Sequence, residues 1–114
     1  MAHMNALTLE AAHMSGVAKL SDADIARATG VARSSARAWL NGTRTPTGER
    51  AERLIELSAL VERLERLIEP DYIAIWLRKP VPALGDEKPL DLIGRGEYRR
   101  VAGLISGLEG TSAS

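Results

Sequence analysis

Cysteine is absent from the 114 residues, so neither a disulfide framework nor a thiolate metal site is open to the chain. A protein that manages without cross-links fits a reducing cytosol. No apolar stretch reaches the roughly 18 residues a membrane span requires. The opening Met1-Ala2-His3-Met4 has neither the charged nor the greasy region of a secretory leader. A cytoplasmic protein without membrane association is expected. Met1 to His3 reads as a cloning remnant, or as sequence ahead of a start at Met4, and takes no part in the fold argument. Histidine is scarce, with only His3 and His13, and no serine or carboxylate stands near either at a recognisable catalytic spacing. Glycine-rich phosphate loops and metal-ligand clusters are also missing, so neither catalysis nor a cofactor or metal is expected. Alternation of the β type reaches no useful length and no repeat occurs. The expected fold class is all-α, in a chain long enough for one core or for two small helical units sharing a seam.

Acidic residues are missing from one stretch in particular. Fifteen Lys and Arg balance fifteen Asp and Glu overall, but no acid lies between Asp24 and Glu49, where Arg27, Arg33, Arg37 and Arg44 fall. A phosphate backbone would feel that local potential, which a net charge near zero conceals.

Apolar steps of three and four predict a supporting helix over residues 7–20, with Leu7, Ala11, Met14, Val17, Ala18 and Leu20 on one face. Ser21 with Asp24 three positions later is a capping box in which aspartate stands for the usual glutamate, opening a short helix over 22–28. Gly30 can supply the positive φ of a tight turn, a second helix runs from about Arg33 to Leu40, and Asn41-Gly42 closes it. After a loop over 43–48, with Thr47 as a possible cap, the longest helix spans 49–69. Leu54, Leu57, Val61, Leu64 and Ile68 form its stripe. Pro70 starts a helix that Pro80 stops. An irregular apolar segment follows, then one turn over 90–93, then a last helix over 97–108 that buries Val101, Leu104, Ile105 and Leu108. The end from Gly110 is small and polar and is expected to be mobile.

Residues 21–42 carry what a helix-turn-helix needs: a small residue at the helix crossing (Ala26), glycine at the turn (Gly30), core residues (Val31, Ala36, Trp39) and a polar outer face. That face holds Arg33, Ser34, Arg37, Ala38 and Asn41. Arginine can donate two parallel bonds to guanine and asparagine can pair with the adenine edge, so Arg33 and Arg37 are the expected base readers. Ser34, Ser35, Thr43, Arg44 and Thr45 suit phosphate. Ala32 stands where a serine would usually cap the second helix, at a cost of about 1 kcal/mol.

The segment from Ile25-Ala26 through Gly30-Val31 to Trp39-Leu40-Asn41-Gly42 resembles the Xre-type regulators. Trp76, Pro89-Leu90-Asp91-Leu92-Ile93, Gly96-Glu97-Tyr98, Val101 and Leu104-Ile105 resemble the toxin-binding domain of the Xre/MbcA/ParS antitoxins. That resemblance implies an antitoxin that covers a RES-domain, NAD-destroying toxin and represses their shared promoter. It places a DNA-binding domain at 5–46, a toxin-binding domain at 47–110 and a flexible tail at 111–114. Operator DNA and the toxin are the implied partners. Repression by a homodimer is expected, since one helix-turn-helix reads few base pairs. Trp76 and Leu92 read as core, whereas Glu97, Tyr98, Arg99, Arg100 and Asp91 are the candidate toxin contacts. A rival reading is a stand-alone regulator whose 54–68 stripe pairs with its twin across a two-fold axis.

Overall fold

The computed structural model describes residues 6–112. Among them seven α-helices occur in the order α1 (Ala6–Gly16), α2 (Asp22–Thr29), α3 (Arg33–Leu40), α4 (Gly48–Glu65), α5 (Pro70–Arg78), α6 (Pro89–Gly94) and α7 (Tyr98–Ser112). The fold is all-α. The irregular stretch before α6 contains a single 3-10 turn, Pro82–Leu84, closed by an isolated bridge between Val81 and Glu87.

The leucine stripe of α4 is the centre of the molecule. Leu54, Leu57, Leu60, Val61 and Leu64 are all buried, because α1, α2, α5, α6 and α7 each lie against this helix. Each such side chain contributes on the order of 2 kcal/mol. The stripe is therefore consumed within the chain and is not free for a twin. Polar bonds add direction: His13 meets Glu65 at 2.8 Å, Ser58 donates to Glu10, and Arg63 donates to Glu109 at 2.5 and 3.0 Å.

Local chemistry fixes most element ends. The Ser21 hydroxyl accepts from the Asp24 amide at 3.1 Å while the Asp24 carboxylate accepts from the Ser21 amide at 2.9 Å, so the aspartate version of the capping box forms in full. Gly30 takes φ +74° at the turn, and Ala32 stands at the N-cap of α3 without a side-chain capping bond, as expected. Thr47 occupies the cap position of α4, but its side chain makes no capping bond.

Several boundaries and burial assignments differ from the periodicity. The first helix stops at Gly16 rather than Leu20: Lys19 adopts φ +62° and the Leu20 amide bonds back to the Met14 carbonyl at 3.2 Å. Val17 consequently points outward, 40% exposed. The long helix ends at Glu65, with Leu67 and Ile68 packed from a turn instead. Leu108, expected on the buried side of α7, is 41% exposed. The last helix continues through Gly110 to Ser112, taking in the first two residues of the expected tail; Ala113 and Ser114 lie outside the described residues, as does the segment at Met1 to His3.

Candidate nucleic-acid and partner surfaces

Helices α2 and α3 form the expected hairpin, with Ala26, Ala36 and Trp39 buried and Val31 packed against the core. Arg33, Ser34, Arg37 and Asn41 are exposed. Ala38, expected on the outer face, is half-buried, and its carbonyl accepts bonds from the loop that follows.

The two arginines are not loose. Asp22, in the first turn of α2, accepts from Arg33 Nε at 2.8 Å and from Arg37 Nε at 3.0 Å, and Arg37 Nη2 also lies 3.0 Å from it. Burial pushes the Asp22 carboxyl up, but the bonds from Arg37 and Arg33 outweigh it and hold the group below the ordinary carboxylate value. Asn41 is likewise engaged: its side-chain oxygen accepts from the Thr43 amide at 3.0 Å and hydroxyl at 2.7 Å, an Asx turn that shapes the loop. Arg44 is exposed and reaches the hydroxyl of half-buried Ser35 at 3.5 Å.

Two open grooves, of about 570 and 550 Å³, meet at Gly30, Thr47 and Arg50. Arg44 and Arg50 line one, and Arg50, Arg53 and Arg95 line the other. Arg50 was missed in the sequence because it follows Glu49, outside the acid-free window. Its place in the first turn of α4, just after the basic loop, was the available signal.

The second candidate surface is tied to the first. Asp91, half-buried in α6, pairs with Arg27 of α2 at 3.2 Å. Arg78 of α5 donates from Nε and Nη2 to Asp24 at 2.9 and 2.5 Å. Asp24 is only 8% exposed. Burial raises its carboxyl pKa, but the bonds from Arg78 and Ser21 prevail and leave it lowered. Between these pairs the helices touch backbone to backbone, since a Cβ on Gly94 would lie 2.3 Å from the Arg27 carbonyl oxygen.

Beyond α6, Gly96 turns with φ +84° into α7. Glu97 accepts from Arg100 at 3.1 Å and from Arg95 at 3.0 Å, which keeps its carboxyl below the ordinary value. Arg100 also donates to the Leu84 carbonyl at 3.1 Å, tying α7 to the 3-10 turn. Tyr98 is half-buried against the core, and Leu92 is fully buried. Arg99 is exposed and makes no ion pair among the described residues.

Two family models match the chain in succession. Residues 18–57 match a helix-turn-helix, and residues 63–110 match the antitoxin Xre/MbcA/ParS C-terminal toxin-binding domain. The chain belongs to the Xre/MbcA/ParS antitoxin family. The mycobacterial cidal antitoxin MbcA of Mycobacterium tuberculosis, and that of Mycobacterium bovis, are 37% identical to it over 76 residues, 67% of this chain and 66% of theirs. The chain thus spans just under two thirds of the length of these relatives. The Prs ADP-ribosylating antitoxin of a Sphingobium species is 36% identical over 63 residues, covering 46% of this chain and 40% of that protein. Among solved structures, a chain of the M. tuberculosis MbcT–MbcA toxin-antitoxin complex superimposes with a TM-score of 0.79 at 28% identity, over 93% of this chain and 96% of that one. Within this member of the family, the border between the two matched segments falls inside α4, a continuous helix. No helix among the described residues is long and apolar enough to cross a membrane.

Proposed function

We propose that this protein is a cytoplasmic antitoxin that binds and neutralises a RES-domain, NAD-degrading toxin through α6 and α7 and represses its own operon through the α2–α3 hairpin. The observation that carries the reading is the order of parts: a basic helix-turn-helix followed by the segment matched as a toxin-binding domain, on one core. Operator DNA is read by Arg33 and Arg37, with Ser34, Ser35, Arg44 and Arg50 on phosphate and Asn41 shaping the loop beside them. A dimer engages the operator, since paired half-sites give the affinity that one hairpin lacks. The rival in which the α4 stripe pairs with a twin loses its main support, as that stripe is buried within the chain.

The test is co-purification with the product of the adjacent gene, followed by an NAD-consumption assay on that product with and without this protein. A stable complex that stops NAD loss supports the reading, and a product that neither binds nor consumes NAD rejects it. Within the complex, Arg99→Ala is expected to weaken binding about tenfold with an unchanged melting temperature, because Arg99 is exposed and unpaired among the described residues. Asp91→Ala is expected to lower both binding and melting temperature, because Asp91 also holds Arg27. Calorimetric titration and thermal melts of the two variants separate these outcomes.

A further inference from the structure

Asp22 is the only acid whose carboxylate both outward-facing arginines of α3 share among the described residues. From this geometry we infer that Asp22 is a specificity-determining positioning residue: it fixes the Arg33 and Arg37 side chains as a pair and screens them from phosphate. The inference rests on the DNA-binding reading above.

The atoms engaged carry the argument. Arg33 meets Asp22 through Nε at 2.8 Å, and neither of its terminal nitrogens bonds to another of the described residues. Arg37 meets it through Nε at 3.0 Å and Nη2 at 3.0 Å, and its Nη1 makes no bond among the described residues. Guanine is read by guanidinium N–H groups approaching O6 and N7, so each arginine can be held from the side while it still presents donors outward. The arginine side chains remain 65% and 64% exposed, whereas that of Asp22 is 14% exposed. The carboxylate thus sits beneath the pair and does not cover it.

Two consequences follow from placing one negative charge under two positive ones. Side-chain freedom is removed before DNA arrives, so less is lost when a base edge is met. The pair's attraction for any phosphate also falls, and that attraction supplies most sequence-independent binding. Both effects widen the gap between the right sequence and a random one. Asp22 touches no base in this arrangement, and acts entirely through Arg33 and Arg37.

The experiment uses the full chain. A duplex is first enriched from a random pool by the wild-type protein, and fluorescence anisotropy then compares wild type, Asp22→Asn and Asp22→Ser on that duplex and on a scrambled one across a salt series. Loss of the carboxylate is expected to strengthen binding to the scrambled duplex about threefold, to steepen its salt dependence by about one counterion, and to cut discrimination about tenfold. Thermal melts establish that both variants fold, and the arginine Nε–H signals in NMR spectra of the free protein are expected to lose their protection from exchange. If a duplex is enriched but both variants keep the wild-type discrimination and salt slope, Asp22 is structural only and the inference is overturned. If neither wild type nor variants enrich any duplex, the DNA-binding reading fails and the inference falls with it.

Discussion

Gly94→Ala is expected to lower stability by about 3 kcal/mol, among the largest effects available to a single added methyl group in this chain. The added Cβ would stand 2.3 Å from the carbonyl oxygen of Arg27 and 3.5 Å from its carbonyl carbon. Both are backbone atoms of a packed helix and cannot rotate aside as a side chain could. The only relief is to move α6 away from α2, which also stretches the Arg27–Asp91 pair. In a thermal melt the loss is expected as a fall of about 15 °C. Gly103→Ala is the control: it lies exposed in α7 with nothing within 4 Å of its would-be Cβ, so alanine there should stabilise by about 0.5–1 kcal/mol. A Gly94→Ala melt within a degree or two of wild type would mean that the helices are not in this close contact.

Asp24→Ala should cost a similar amount for a different reason. The carboxylate accepts the Ser21 amide as one half of the capping box and takes two bonds from Arg78, so alanine removes one backbone bond worth about 1 kcal/mol and charge-assisted bonds worth about 2 more, while the Ser21 hydroxyl keeps its bond to the amide of residue 24. The Arg78 side chain is 45% exposed and can find water, which keeps the cost below that of a fully buried pair. Asp24→Asn separates the parts, because it can retain the bond to Ser21 while losing the charge. The pH dependence has a fixed sign. The folded-state pKa of Asp24 is lowered, so its contribution is fully present above the unfolded value of about 3.9 and is lost as pH falls through the folded value. Urea midpoints measured from pH 6 down to pH 2 should decline in wild type below about pH 4, and more shallowly in Asp24→Ala. Parallel curves for the two would remove Asp24 from that account.

Much of this was legible in the chain because the signals are local. The Ser21 and Asp24 side chains, the glycine at 30 and the run of apolar threes and fours in 54–64 act within one or two turns, and the folded chain uses them as expected. What escaped were pairings set by tertiary contact. Asp22 lies 11 and 15 residues from its arginines, and Arg78 lies 54 from Asp24. Sequence gives such residues a charge but no partner. Periodicity also overran its helices at Leu20 and Ile68, since an apolar side chain can reach the core from a turn as well as from a helix. Leu108 shows the converse: it keeps the helical phase but stays 41% exposed.

The absence of a tether between the two matched segments has a bearing on turnover. Residues 58–62, which separate them, lie within α4 and mostly face a core that both halves share. A protease cannot part the halves there while the helix is intact, as it could by nicking an exposed linker. Cleavage between them must draw on molecules that have opened as a whole, so the lifetime of the separate halves' union follows the global folding equilibrium. Every loss of about 1.4 kcal/mol multiplies that open population by about ten, which makes a methyl group at Gly94 a lever on abundance as well as on shape.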